Sequence, residues 1–267
     1  MAAVASAAGA AAAPGGDVVL EARDIVKRFG GLVAVDHVSV KIRRAKLTLL
    51  IGPNGSGKST LLNVISGFYR PDAGRVIFEG RDVTGLPPHD LYHLGLARTF
   101  QVPQPFYRLT VLENVLLAAP GHPGESFAAP LRRLAWLKKE EELVEKAFEI
   151  LRLVNLIHLW DHPAGMLSGG QMKLLEIART LMSGAKLLLM DEPIAGVNPT
   201  LAHQILDFIT RLKRERGITF FIIEHRLDIA MQYVDYVYAM ARGRLIAEGR
   251  PEEVVSNPLV IDSYLGG

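Results

Sequence analysis

The chain has no cysteine. Disulfides, thiolate nucleophiles and zinc–cysteine sites are thereby excluded, and a reducing compartment is permitted. Net charge is nearly absent too: 30 basic residues against 28 acidic ones leave +2 over 267 residues. So small a surplus gives no electrostatic footing for nucleic acid, and no nucleic-acid partner is expected. No apolar run approaches the roughly 18 residues of a membrane span. The longest, such as residues 218–223, are strand-sized. Residues 1–16 are rich in Ala and Gly and contain neither Lys nor Arg, so the basic start of a signal peptide is missing. They are expected to form a disordered tail ahead of a domain spanning 17–267. The expectation is a soluble intracellular protein that reaches a membrane only through a partner. Its 49% hydrophobic content allows a substantial core.

Against these absences stands one stretch, residues 47–68, LTLLIGPNGSGKSTLLNVISGF. Leu47, Leu49, Leu50 and Ile51 read as a buried strand; Leu61, Leu62, Val64 and Ile65 read as one face of a helix. Between them residues 52–59 fit G-x-x-x-x-G-K-[ST], a phosphate-binding loop set between a strand and a helix N-terminus, as its mechanism requires. Its glycines allow a tight turn and a close approach of phosphate to backbone. Successive N–H groups and the positive end of the helix face the anion. The expected nucleotide contacts are Gly52, Asn54, Gly55, Gly57, Lys58, Ser59 and Thr60. Lys58 reaches the β- and γ-phosphates, and the Ser59 hydroxyl ligates Mg2+.

Around this loop the pattern is composite. Val38, Val40 and Ile42 alternate with His37, Ser39 and Lys41, as in a strand with one solvated face. Residues 75–80 return as a further strand after a turn at 71–74, which makes an antiparallel layer at the start of the chain. Between 87 and 165 strand patterns disappear. Thr110 and Glu113 read as a helix start, and residues 120–130 as a loop. Leu143, Val144, Ala147, Phe148, Leu151 and Val154 recur at helical spacing, with the charge run 138–142 on the solvated side. After 165, apolar strands at 186–190, 218–223 and within 233–241 alternate with a helix that opens at Asn198 and Pro199 and runs through Leu212. That alternation predicts an α/β fold with a parallel sheet covered on both faces.

Two further segments carry chemistry. The strand ending at Asp191 delivers a carboxylate to the edge where a parallel sheet places ligands. Asp191 is expected to hold Mg2+ opposite Ser59, and Glu192 to orient or deprotonate an attacking water. Leu167-Ser168-Gly169-Gly170-Gln171 precedes an amphipathic helix. Ser168 suits an N-cap, and the two glycines strip side chains from an anion-sized approach.

With that pentapeptide the chain resembles the ATP-binding cassette (ABC) ATPase family over about residues 18–250. Ser168, Gly169, Gly170 and Gln171 look like the family signature, residues 52–59 like Walker A, and residues 187–191 like Walker B with Glu192 as the catalytic glutamate. Gln101 looks like the Q-loop glutamine, residues 195–198 like the D-loop, and His225 like the switch histidine. Phe29 falls where the family stacks an aromatic ring on adenine, and Asn198 stands where Asp is commoner.

The resemblance implies a P-loop NTPase (RecA-type) core with an N-terminal antiparallel β subdomain, an α-helical subdomain inserted at about 102–170, and a C-terminal tail at 251–267. It implies ATP and Mg2+ as cofactors, catalytic roles for Glu192, His225 and Gln101, and metal contacts from Ser59, Gln101 and Asp191. It also implies a head-to-tail dimer with a second ABC ATPase subunit, the same or a related chain, whose Ser168 and Gly170 close over ATP. Transmembrane permease subunits at the cytoplasmic face, and indirectly a solute-binding protein, are the further partners. Phe29-Gly30-Gly31-Leu32, Arg98-Thr99-Phe100-Gln101, Ala195-Gly196-Val197-Asn198-Pro199 and the ending from Asn257-Pro258 through Tyr264-Leu265-Gly266 resemble the ATP-binding subunits of branched-chain amino acid importers. Urea or short-amide importers and a lipopolysaccharide-export ATPase share some of these features. A non-transport ABC protein usually adds a second cassette, a long coiled coil or a basic module, and a GTPase carries N-K-x-D; the sequence has none of these.

Overall fold

The computed structural model describes residues 17–99, 104–120 and 133–265. Strands β1 (Val18–Phe29) and β2 (Leu32–Arg43) pair antiparallel across the turn at Gly30 and Gly31. Val38, Val40 and Ile42 are buried while His37, Ser39 and Lys41 face solvent, as their alternation requires. The wholly buried β3 (Leu47–Ile51) leads into α1 (Lys58–Ile65). Next come β4 (Ala73–Phe78), β5 (Arg81–Asp82), α2 (Pro88–Leu94) and β6 (Leu96–Arg98). Helices α3 (Val111–Leu116), α4 (Arg133–Leu153) and α5 (Gly169–Met182) pack on one another. The chain then alternates through β7 (Leu187–Asp191), α6 (Pro199–Arg216), β8 (Thr219–Ile223), α7 (Leu227–Ala230), β9 (Tyr236–Ala241) and β10 (Arg244–Gly249), and ends in α8 (Pro251–Val255) and α9 (Pro258–Leu265).

The described strands form two sheets. One is antiparallel, in the order β2-β1-β4-β5; the other runs β10-β9-β3-β8-β7-β6. In the second, every pair from β9 to β6 is parallel and only β10 runs against its neighbour. Its central strands read as unbroken apolar runs because both faces are covered. Leu50, Leu187, Leu189, Phe221 and Ile223 face a core shared with α1 and the antiparallel sheet. Leu49, Leu188, Met190, Phe220 and Ile222 face the opposite core, built with the helices. The period of two divides each strand between the two cores.

Several boundaries differ from the sequence expectation. Strand β6 lies inside the stretch read as free of strands; its three residues, paired with β7 from Leu96 to Arg98, are too few to show a period. Helix α6 continues past Leu212 to Arg216, its last turn bearing Lys213, Arg214 and Arg216 where cations suit the helix dipole, and Gly217 ends it at φ 65°. Strand β9 takes Tyr236–Ala241 of the apolar stretch at 233–241. The Thr110–Glu113 helix start is a complete capping box. Lys139, Glu141 and Glu142 of the charge run are exposed. The tail at 1–16, Gln101 and all of the 120–130 loop beyond Pro120 lie outside the described residues.

Candidate nucleotide site

Strand β3 sits between β8 and β9, so the loop that follows it leaves the middle of the parallel sheet at its C-terminal edge. Gly57 takes φ 99°, and a Cβ there would stand 2.3 Å from the Ala34 carbonyl oxygen, so only glycine fits. No side chain caps α1. Lys58, only 5% exposed, folds back into its own loop. Its Nζ donates to the carbonyls of Gly52 at 2.8 Å and Pro53 at 2.9 Å, and to Ser56 Oγ at 3.4 Å. Burial lowers the Lys58 pKa, and the charges of Glu192 and Asp191 oppose that shift. Asn54, Gly55 and Ser59 are exposed, and Thr60 is half-buried. The Gly52 N–H donates to Tyr264 Oη at 2.8 Å, so α9 reaches the first residue of the loop.

Strand β7 carries Asp191 to the same edge. Asp191 Oδ2 lies 3.3 Å from Arg98 Nη2. Burial raises the Asp191 carboxyl; the Arg98 charge pulls it down and Glu192 adds to the rise. Glu192 holds φ 53°, the left-handed region that costs a non-glycine residue energy and gathers at functional sites. Its N–H donates to Ile223 O at 2.9 Å. Its Oε1 is 3.2 Å from His225 Nε2. Lys58, Asp191, Glu192 and His225 therefore meet at one sheet edge.

Phe29, at the end of β1, is 43% exposed and meets Tyr69 edge-on at 5.3 Å, with Lys27 Nζ 5.5 Å from its ring centre. The start of α5 stands apart. Ser168 Oγ accepts from Gln171 N at 3.4 Å, and Gln171 Oε1 accepts from Ser168 N at 2.9 Å, a reciprocal cap. The two glycines have different neighbours. Around Gly169 nothing lies within 4 Å of where a Cβ would be, whereas at Gly170 that Cβ would stand 2.2 Å from Leu201 Cδ2 of α6. A Cβ at Gly170 would oblige the Leu201 side chain to turn aside, whereas one at Gly169 would meet nothing. Among the described residues, no hydrogen bond or ion pair joins Ser168, Gly169, Gly170 or Gln171 to the loop from Gly52 to Thr60.

The family model described as "ABC transporter" matches residues 35–195, and one described as "Branched-chain amino acid ATP-binding cassette transporter" matches residues 244–267. A probable branched-chain amino acid transport ATP-binding protein LivG of Archaeoglobus fulgidus is 52% identical over 93% of this chain and 95% of its own length. The high-affinity branched-chain amino acid transport ATP-binding protein BraF of Pseudomonas aeruginosa is 38% identical over 93% of this chain and 98% of its own. A crystal structure of the ADP conformation of an ATP-binding cassette of an ABC transporter superposes with a TM-score of 0.82 at 53% identity, covering 94% of this chain and 99% of that one. The chain belongs to the ABC transporter family of ATP-binding cassettes.

ATP binding follows from that membership. The cassette's own residues fit the nucleotide and its metal. An open backbone cradle at Gly55, a buried ammonium at Lys58 and the oxygen donors of Ser59 and Asp191 suit phosphate and a hard cation. Among the described residues no group of three or more His, Cys, Asp or Glu could hold a metal. No helix among the described residues is long and apolar enough to cross a membrane.

Sequence reasoning missed three groups. Arg98 entered only as part of a motif, not as the ion partner of Asp191. Tyr69 was not singled out beside Phe29. Glu224, 1% exposed, accepts from Ile194 N at 2.7 Å and from His225 N at 3.1 Å. A carboxylate directly after the apolar run 220–223 is the available signal for Glu224.

Proposed function

We propose that this cassette hydrolyses ATP to drive the membrane subunits of an importer for branched-chain or other hydrophobic amino acids. The convergence of Lys58, Asp191, Glu192 and His225 at one edge of the parallel sheet carries the catalytic part of this reading. The match of residues 244–267 and the names of the relatives support the solute class.

Phe29 stacks on adenine with its exposed face. The loop N–H groups around Gly52, Asn54, Gly55, Gly57 and Thr60 cradle the phosphates, and Lys58 turns from its own carbonyls to the β- and γ-phosphates. Ser59 and Asp191, with Gln101, would hold Mg2+, which when bound neutralises charge on the phosphates. Glu192 accepts the proton of the water that attacks the γ-phosphorus, and the bond to the leaving ADP oxygen breaks. His225, beside Glu192, contacts the γ-phosphate. Ser168, Gly169, Gly170 and Gln171 close over the nucleotide from a second cassette, which is the same or a related chain. ATP thereby favours the closed pair as far as it binds that pair better than the open one.

The helical subdomain at about 102–170 gives the transmembrane permease subunits their dock, with Gln101 at its root coupling nucleotide state to them. Residues 251–267 form the C-terminal tail of the domain at 17–267. The cassette works at the cytoplasmic face of the membrane, a solute-binding protein joins only indirectly, and nucleic acid has no part.

Glu192→Gln tests the reading. The variant should bind ATP, turn over about 10²- to 10⁴-fold more slowly, and accumulate as an ATP-dependent dimer on size exclusion. Turnover at the wild-type rate would overturn the role of Glu192. Copurified membrane subunits whose ATPase rate rises with urea but not with leucine would overturn the solute class.

A further inference from the structure

The turn that carries Glu192 is held by a half-buried lysine, Lys173, and a buried carboxylate, Glu224, that the reading above does not use. The turn is closed by Ala195 N donating to Glu192 O at 3.1 Å. From one side Lys173, on α5 just beyond Gln171, reaches it. Lys173 Nζ is 2.5 Å from Ala195 O and 3.4 Å from Glu192 O. From the other side Glu224 takes the Ile194 N–H at 2.7 Å with Oε1 and the His225 N–H at 3.1 Å with Oε2. One carboxylate thus fixes both the turn after Glu192 and the backbone of the histidine beside it.

Such holding is needed. Glu192 sits at φ 53°, a conformation that a non-glycine residue leaves unless its surroundings over-determine it. Burial raises the Glu224 carboxyl, and the backbone N–H groups it accepts, Ile194 first, oppose that rise. Burial lowers the Lys173 pKa, and the first charge opposing that shift is Glu224. Lys173 and Glu192 line one cleft with Thr99 and Glu176.

We propose that Lys173 and Glu224 are positioning residues that make hydrolysis at a chain's own ATP depend on the seating of that chain's own signature helix. The N-terminus of α5 faces the second cassette's nucleotide, while Lys173, in the following turn of the same helix, grips the glutamate turn of its own chain. A shift of α5 on closing the far site moves the carbonyls that Lys173 holds, and Glu192 with them. This inference rests on the reading in which Glu192 takes the water's proton and α5 closes over the partner's ATP.

Lys173→Met keeps the aliphatic stem and removes the ammonium; Lys173→Arg restores a cation. The expected result is a kcat lower by about 10- to 100-fold for the methionine variant, the rate equivalent of one charge-assisted hydrogen bond. KM for ATP should stay within about twofold, and arginine should recover most of the rate. Placed in the Glu192→Gln background, Lys173→Met should leave the ATP concentration needed for dimerisation unchanged. An unchanged kcat overturns the proposal. So does a dimer that needs more ATP in proportion to the lost turnover, because Lys173 would then only support the signature. Failure of Glu192→Gln alone to dimerise counts against the site reading, while the split between kcat and KM still judges the clamp. Should Lys173→Met not melt cooperatively, Glu224→Gln replaces it. The amide turns a donor toward one of the two N–H groups, and the same selective loss of kcat is expected; a wild-type kcat overturns the proposal.

Discussion

Helices α1 and α5 both have glycine at or just before their first residue, and both starts are assigned to phosphate in the proposed reading, yet they are finished in opposite ways. The start of α1 has Gly57 in the left-handed region, no side-chain cap, and a buried lysine bound to the loop's own carbonyls. The start of α5 is exposed and closed by the Ser168–Gln171 box. An uncapped N-terminus leaves backbone donors to be met by something else, and an anion meets them. A capped one is content in water. In the proposed reading the loop holds nucleotide within one chain, whereas the capped signature waits for the nucleotide of another subunit.

The largest effect expected from this contrast belongs to Lys58→Ala. Nucleotide affinity should fall roughly 10- to 100-fold, since a charge-assisted hydrogen bond is lost. Titration with a fluorescent nucleotide reads it, and an unchanged Kd would remove the distinction between the two helix starts. Gly170→Ala comes next. Its methyl group meets the end of the half-buried Leu201 side chain, which must turn aside, so the cost should lie at the low end of overpacking, about 1 kcal/mol, visible as a lower Tm without nucleotide. Ser168→Ala removes the acceptor of the cap and should lower stability by about 1 kcal/mol in chemical denaturation. Gly169→Ala should cost no stability, and can gain up to about 0.5 kcal/mol from helix preference, because no atom stands near its Cβ. If Gly169→Ala and Gly170→Ala lowered Tm equally, the two glycines would share one role and the contrast would lose its sharpest part.

Much of this was legible from local pattern. The phosphate loop declares itself by glycine spacing, the central strands by apolar runs, and the start of α3 by Thr110 with Glu113. These signals lie within a few residues of one another, where backbone and side chain constrain each other directly. The three residues of β6 carry too little pattern, and the end of α6 is set by Gly217 rather than by the last apolar residue. Contacts made through space were hidden: Arg98 on Asp191, Lys173 on the Glu192 turn, Leu201 against Gly170. Each joins residues that no spacing rule connects. Four of the motif residues, Lys58, Asp191, Glu192 and His225, fall together in space, and among the described residues Ser168 has no hydrogen bond to them.

The place of β3 also bears on how the protein is made. Leu47 N–H is received by Asp235, 188 residues later, and Gly52 N–H by Tyr264, 212 residues later. A ribosome adding about 5–20 residues per second needs roughly 10–40 s to span that gap. Until residue 223 is added β3 lacks its neighbour β8, and until residue 241 it lacks its other neighbour, β9. The motif that names the site is translated early, and α9, whose Tyr264 takes the Gly52 N–H, follows 212 residues later, roughly 10–40 s at that speed.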